Sequence, residues 1–144
     1  MHFKEIGTVH GHSINESLLP LKSNILDLGC RDFIFTNKMK ELEHNVYPVD
    51  IGVFDGDYYR IAISDKDGRC SVVNERDPDA THISDGDEIP MMTIETFSKH
   101  VGVEKWDLIK MDIEGQELNI LNNSKHPIAS QISVEFHAHC TTTN

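Results

Sequence analysis

Three acids and a glycine, each at the end of a short apolar run, are the residues of this sequence best placed to do chemistry. The first group is Asp27-Leu28-Gly29-Cys30-Arg31-Asp32, where an apolar run gives way to an amphipathic stretch. A glycine at such a turn lets a ligand approach the backbone closely, because no Cβ intervenes. Free amides at the start of the following helix favour a negative group such as a carboxylate. The dinucleotide pattern G-x-G-x-x-G is absent: Asp27 holds the place of its first glycine, and no P-loop lysine follows. An acid there suits a ligand that carries an amine and no phosphate, and S-adenosylmethionine is such a ligand. Asp50 lies roughly twenty residues on, at the end of the next apolar run, where a carboxylate can accept both hydroxyls of a ribose. Asp65 ends a third run and could face an adenine amino group. With Cys30, Ile51 and Ser64 as their neighbours, Asp27, Gly29, Asp50 and Asp65 form the expected cofactor-binding set. Each acid also has a plain reading: turn chemistry for Asp27, a strand end for Asp50, the start of a hairpin turn for Asp65.

The most specific signal is Asp107-Leu108-Ile109-Lys110-Met111-Asp112-Ile113-Glu114-Gly115-Gln116-Glu117. Two carboxylates and a glycine sit where a fourth apolar run passes into a helix. Asp112, Glu114 and the later His137 form the expected catalytic set. Asp112 has a positioning role, and His137 is the base if the acceptor is an alcohol, since a histidine of ordinary pKa, about 6.5, is largely neutral near pH 7. Glu117 falls in a first helical turn, where an acid complements the helix dipole and needs no other purpose. The His-x-His pairs at 10/12 and 137/139 lack a fixed third ligand, so no metal site is expected. Asp112, Glu114, Glu135 and His137 could instead gather a hard cation between strand tips.

These residues need elements to hold them. Short apolar runs alternate with amphipathic stretches, the pattern of an α/β fold with a mainly parallel sheet. Strands are expected at 24–28, 46–49, 60–63, 107–111 and 133–136, and helices at 33–42, 93–101 and 116–122. Spacing leaves room for the crossovers that parallel neighbours require, giving the sheet order 3-2-1-4-5. Asp65-Lys66-Asp67-Gly68 is a good turn, so Cys70-Ser71-Val72-Val73 is expected to return as a hairpin. Residues 74–90, rich in Asp, Glu, Gly and Pro, are expected to form a solvated surface loop.

The stretch Asp107 to Glu117 is similar to the signature of the FkbM family, K-x-D-x-E-G-x-E. Thr93-Ile94-Glu95-Thr96-Phe97, Arg60 to Gly68, Ile120-Leu121 and Val134-Glu135-Phe136-His137 resemble other parts of that family. The resemblance spans about residues 24–139 and implies a Rossmann-like methyltransferase fold with S-adenosylmethionine as donor, often methylating a hydroxyl oxygen of a small molecule or sugar. Where many relatives have a further glycine four positions after Gly29, this chain has Phe33. The usual methyltransferase sheet has seven strands, so this single domain, 1–144, is expected to lack a C-terminal hairpin.

Composition narrows the class. With 24 acids against 13 Lys and Arg, the net charge of −11 repels phosphate backbones, so no nucleic-acid partner is expected. No apolar run approaches the ~18–20 residues that cross a bilayer, and the N-terminus lacks the apolar core of a signal peptide. Cys30, Cys70 and Cys140 are an odd set with no framework spacing, which favours a reducing cytoplasm. A small-molecule acceptor is the expected partner. The competing reading is a non-catalytic nucleoside-binding module of the same fold; a nicotinamide oxidoreductase is disfavoured by Asp27.

Overall fold

The computed structural model describes residues 6–9, 12–74, 81–113, 115–123 and 128–135. Its centre is a parallel five-stranded sheet made of β3 (Asn24–Leu28), β4 (Asn45–Asp50), β5 (Tyr59–Arg60), β9 (Trp106–Met111) and β10 (Ala129–Val134), in the order β10-β9-β3-β4-β5. All four pairings are parallel. This is the expected order of the five runs, and the molecule is a Rossmann-like α/β fold.

Alternation along the two central strands builds three layers. Ile25 and Leu108 face α1 (Ile34–Glu41) and pack with its Phe35 and Met39, which lie four apart on one helix face. Leu26, Leu28, Ile109 and Met111 point the other way, toward Phe97 of α2 (Ile94–Val101) and Ile120 of α3 (Glu117–Asn123). Burial on both faces is why β3 and β9 are nearly continuous apolar runs. The exceptions, Asp27 and Lys110, are cross-strand partners on the α1 face and meet each other there. Pro48 sits inside β4 without breaking it, because β5 pairs with β4 only at Val49 and Asp50.

α2 has complete ends. Thr93 caps it by accepting from the Thr96 amide at 3.1 Å, and Gly102 closes it with a φ of 76°. Behind it Trp106 stacks on Phe97, with Tyr47 and Tyr59 edge-on to that pair.

Five expectations are corrected. The third strand does not run through 60–63: it leaves the sheet after Arg60, and β6 (Ala62–Ile63) joins a second, three-stranded sheet. Gly68–Val73 (β7) does not turn back on that strand but pairs antiparallel with β8 (His82–Met92), and β8 pairs parallel with β6. β8 occupies most of the stretch expected to be a loop. Asp85 to Glu88, three acids and Gly86, are a four-residue bulge between the pairs Ser71↔Ser84 and Cys70↔Ile89. Arg69 donates to the carbonyls of Asp87 and Glu88, and Arg60 lies 3.1 Å from the Glu88 carboxylate. A Cβ at Gly86 would fall 1.7 Å from Ser71 Oγ, so only glycine lets this bulge fold down. The last strand starts four residues early, at Ala129, because its exposed and polar positions hide its period. Finally, β1 (Ile6–Val9) and β2 (His12–Asn15) form an antiparallel pair in a region where no element was expected. Ile14 of β2 is buried against Phe35, and Asn15 exchanges hydrogen bonds with the side chain of Gln131 on β10.

Candidate functional site

The C-terminal tips of β3, β4 and β9 converge where open α/β sheets take ligands. Gly29 begins the turn after β3 with a φ of 85°, and a Cβ on it would lie 2.0 Å from the backbone oxygen of Asp112. The glycine is therefore required by the neighbouring strand tip, packed flush against the turn, and not only by a ligand. The Asp112 amide donates to the Leu28 carbonyl at 3.0 Å and fixes that contact.

The amides of the turn are less open than the sequence suggests. Those of Gly29 and Cys30 both donate to the Val49 carbonyl, at 2.8 and 3.1 Å. The Arg31 amide donates to Asp50 Oδ2 at 3.0 Å, that of Phe33 to Cys30, and that of Ile34 to Asp32. No open cradle for an anion remains in residues 29–31, 33 and 34. Phe33 takes the left-handed conformation, φ 63°, a backbone region that favours glycine. Its ring lies edge-on to Tyr58 at 5.8 Å, across the loop that follows β4. The Tyr58 hydroxyl donates to the Gly52 carbonyl at 2.8 Å and accepts from the Phe54 amide at 3.0 Å, closing that loop on itself.

Between these tips and the second sheet lies a cavity of about 340 Å³. Gly29, Asp50, Ile51 and Asp112 line it from the central sheet, Phe54 from the closed loop, and Val72, His82 and Ile83 from β7 and β8. Its size is at the lower end of small-molecule sites. Asp50 is half-buried, and its other oxygen accepts from the Gly52 amide at 2.8 Å. Burial raises the pKa of Asp50 above its usual 3.8, against the lowering effect of the Gly52 and Arg31 amides. Each carboxylate oxygen keeps acceptor capacity beyond one amide, so a diol can still be bound.

Four expected cofactor residues stand elsewhere. Asp27 is fully buried beneath α1, accepting from the Thr36 hydroxyl with the Lys110 ammonium 3.0 Å away. Cys30 is buried, and burial, followed by the charges of Asp50 and Asp27, pushes its thiol far above the usual range. Ser64 is buried and its hydroxyl lies 3.1 Å from Gln116 Oε1, while Asp65 is exposed. None of the four lines the cavity. Glu114 and His137 lie outside the described residues.

Lys110 is the residue that sequence reasoning undervalued. It is 2% exposed, sits 5.7 Å from the centre of the Phe35 ring, and donates to the Gly29 carbonyl at 2.7 Å. It thus ties β9, β3 and the glycine turn together from beneath. The signal was present: a lysine inside a strand buried on both faces must have a partner, and Asp27 is the one nearby. His82 and Arg60 were missed for another reason, since only β8 and the exit from β5 bring them to the cavity. Among the described residues His12, Asp112 and Glu135 also meet, each offering one ligand atom within 4.8 Å of the others. No helix of the described residues is long and apolar enough to cross a membrane.

No curated protein and no solved structure matches the chain. The family model described as the methyltransferase FkbM domain matches residues 17–142, which takes in every strand of the central sheet and the whole cavity wall. On that match the chain belongs to the FkbM methyltransferase family.

Proposed function

We propose that this protein transfers a methyl group from S-adenosylmethionine to a hydroxyl oxygen of a small molecule or sugar. The observation that carries the reading is the cavity that has Gly29, Asp50 and Asp112 on its walls, at the tips of three parallel strands. Asp50 is the ribose ligand in this reading, held by two backbone amides with acceptor capacity to spare. When bound, S-adenosylmethionine supplies a methyl carbon already activated on a cationic sulfur. The protein's own task is then to orient the acceptor and receive its proton. Asp112 holds the acceptor from the β9 tip, and His137 takes the proton on chemical grounds. The apolar lining from Ile51, Phe54 and Ile83 keeps water from the reacting atoms. The buried free thiols of Cys30 and Cys70 favour a reducing compartment, the cytoplasm in this proposal.

Titration calorimetry with S-adenosylhomocysteine and NAD tests the cofactor assignment. Binding of the first and not the second is expected, and Asp50→Ala should weaken it by about 1–3 kcal/mol through loss of a charged acceptor. Equal affinity in that variant would remove Asp50 from the site. Binding with no turnover on any hydroxyl acceptor would favour a module that binds without catalysing.

A further inference from the structure

We infer that His12, Asp112 and Glu135 form a binding site for a first-row divalent cation at the edge of the cavity. Three separate elements bring these residues together: the start of β2, the tip of β9 and the residue following β10. One ligand atom from each lies within 4.8 Å of the others, a spacing that a single ion can span.

The ligands are held before any ion arrives. The Asp112 amide donates to Leu28 and the Glu135 amide donates to Met111 at 2.9 Å, so the sheet itself fixes both backbones. His12 is buried, with its ring edge-on to Phe35 at 6.1 Å. Its Nδ1 lies 2.9 Å from Ser133 Oγ on β10. The tautomer the site requires places the proton on Nδ1, toward the Ser133 hydroxyl, and makes Nε2 the ligating nitrogen, the usual outer-shell arrangement for a metal-bound imidazole. Two carboxylates and one neutral imidazole give a charge of −2, matched to a divalent ion. That mixed oxygen and nitrogen set suits Mn²⁺ or Zn²⁺ better than Ca²⁺. Three protein ligands leave positions open, and Asp112 is also a wall of the cavity. The role of the ion, though not its binding, rests on the methyl-transfer reading: it would take up the acceptor's hydroxyl oxygen and make its proton easier to remove.

The test uses MnCl₂ alone with the full chain, read by calorimetry and by electron spin-echo modulation of the bound ion. Uptake of one equivalent with ¹⁴N modulation from imidazole is expected. Glu135→Gln and His12→Gln should each weaken uptake by more than about tenfold, and Ser133→Ala by about tenfold. Circular dichroism checks that the variants are folded, and Glu135, exposed, can be replaced even if His12 cannot. No uptake by the wild type, absence of the nitrogen signal, or unchanged uptake in Glu135→Gln overturns the site. Asp50→Ala should weaken S-adenosylhomocysteine binding and leave Mn²⁺ uptake unchanged. A wild type that takes up Mn²⁺ but binds no S-adenosylhomocysteine would sink the cofactor reading and leave the metal site standing.

Discussion

Asp50 combines two demands that pull against each other. Its carboxylate is organised by the amides of Arg31 and Gly52, yet burial makes it less acidic than a free aspartate. Because its folded pKa is raised above 3.8, its contribution to stability is full below that value and is lost as the pH rises through the folded pKa. Ligand binding has the opposite sign, since ribose hydroxyls are best received by the ionised form. S-adenosylhomocysteine affinity should therefore fall as the pH is lowered through the raised Asp50 pKa, at a higher pH than an ordinary aspartate would produce. Calorimetry across an acidic pH series checks this, with Asp50→Ala as the control in which the fall should vanish. A fall that persists in the variant would assign it to another group.

At the scale of elements, the Asp27–Lys110 pair joins β3 to β9 under the glycine turn. Taking two charges out of water is costly, and the pair holds only while both members remain. Lys110→Met should lower stability by about 3–5 kcal/mol, because it leaves the Asp27 carboxylate buried without its cation. Adding Asp27→Asn to that variant should recover most of the loss, as the Thr36 hydrogen bond survives. Urea unfolding of the two variants checks both statements, and a double variant as unstable as the single would show that the lysine acts through Gly29 alone. The turn above this pair was legible in kind but not in detail. Gly29 was expected to make room for a ligand, whereas the nearest atom to its missing Cβ belongs to Asp112. Likewise Phe33 fills a glycine's backbone conformation, with its ring packed against Tyr58 and the loop after β4.

For the molecule as a whole, a net charge of −11 on 144 residues means that folding brings like charges together. Exposed ion pairs such as Lys38–Glu41 and Lys99–Glu95 offset little of this. Screening within a Debye length of about 8 Å near physiological salt should relieve the repulsion. The thermal midpoint, followed by differential scanning fluorimetry, should rise between low and physiological salt. A midpoint that falls would mean that specific surface pairs outweigh the net field.

The sequence alone determined the parallel sheet and its order, because strands buried on both faces must be continuous apolar runs, and their spacing leaves room only for crossovers. It also picked out Gly29, Asp50 and Asp112, which stand at strand tips whatever the loops do. Only the tertiary structure decided which strand-end acids face the cavity. Asp27 and Asp50 are alike in sequence, but alternation turns Asp27 under α1 to meet Lys110 and leaves Asp50 at the open tip. The second sheet was likewise hidden. The four-residue bulge in β8 interrupts its period; its Glu88 carboxylate finds a partner in Arg60, and its Asp87 and Glu88 carbonyls find theirs in Arg69, brought close by folding alone. His12 and Glu135 are far apart in the chain, and their meeting beside Asp112 depends on β2 packing over β10. No local pattern encodes a contact of that separation; it exists once the sheet gives both elements a common surface.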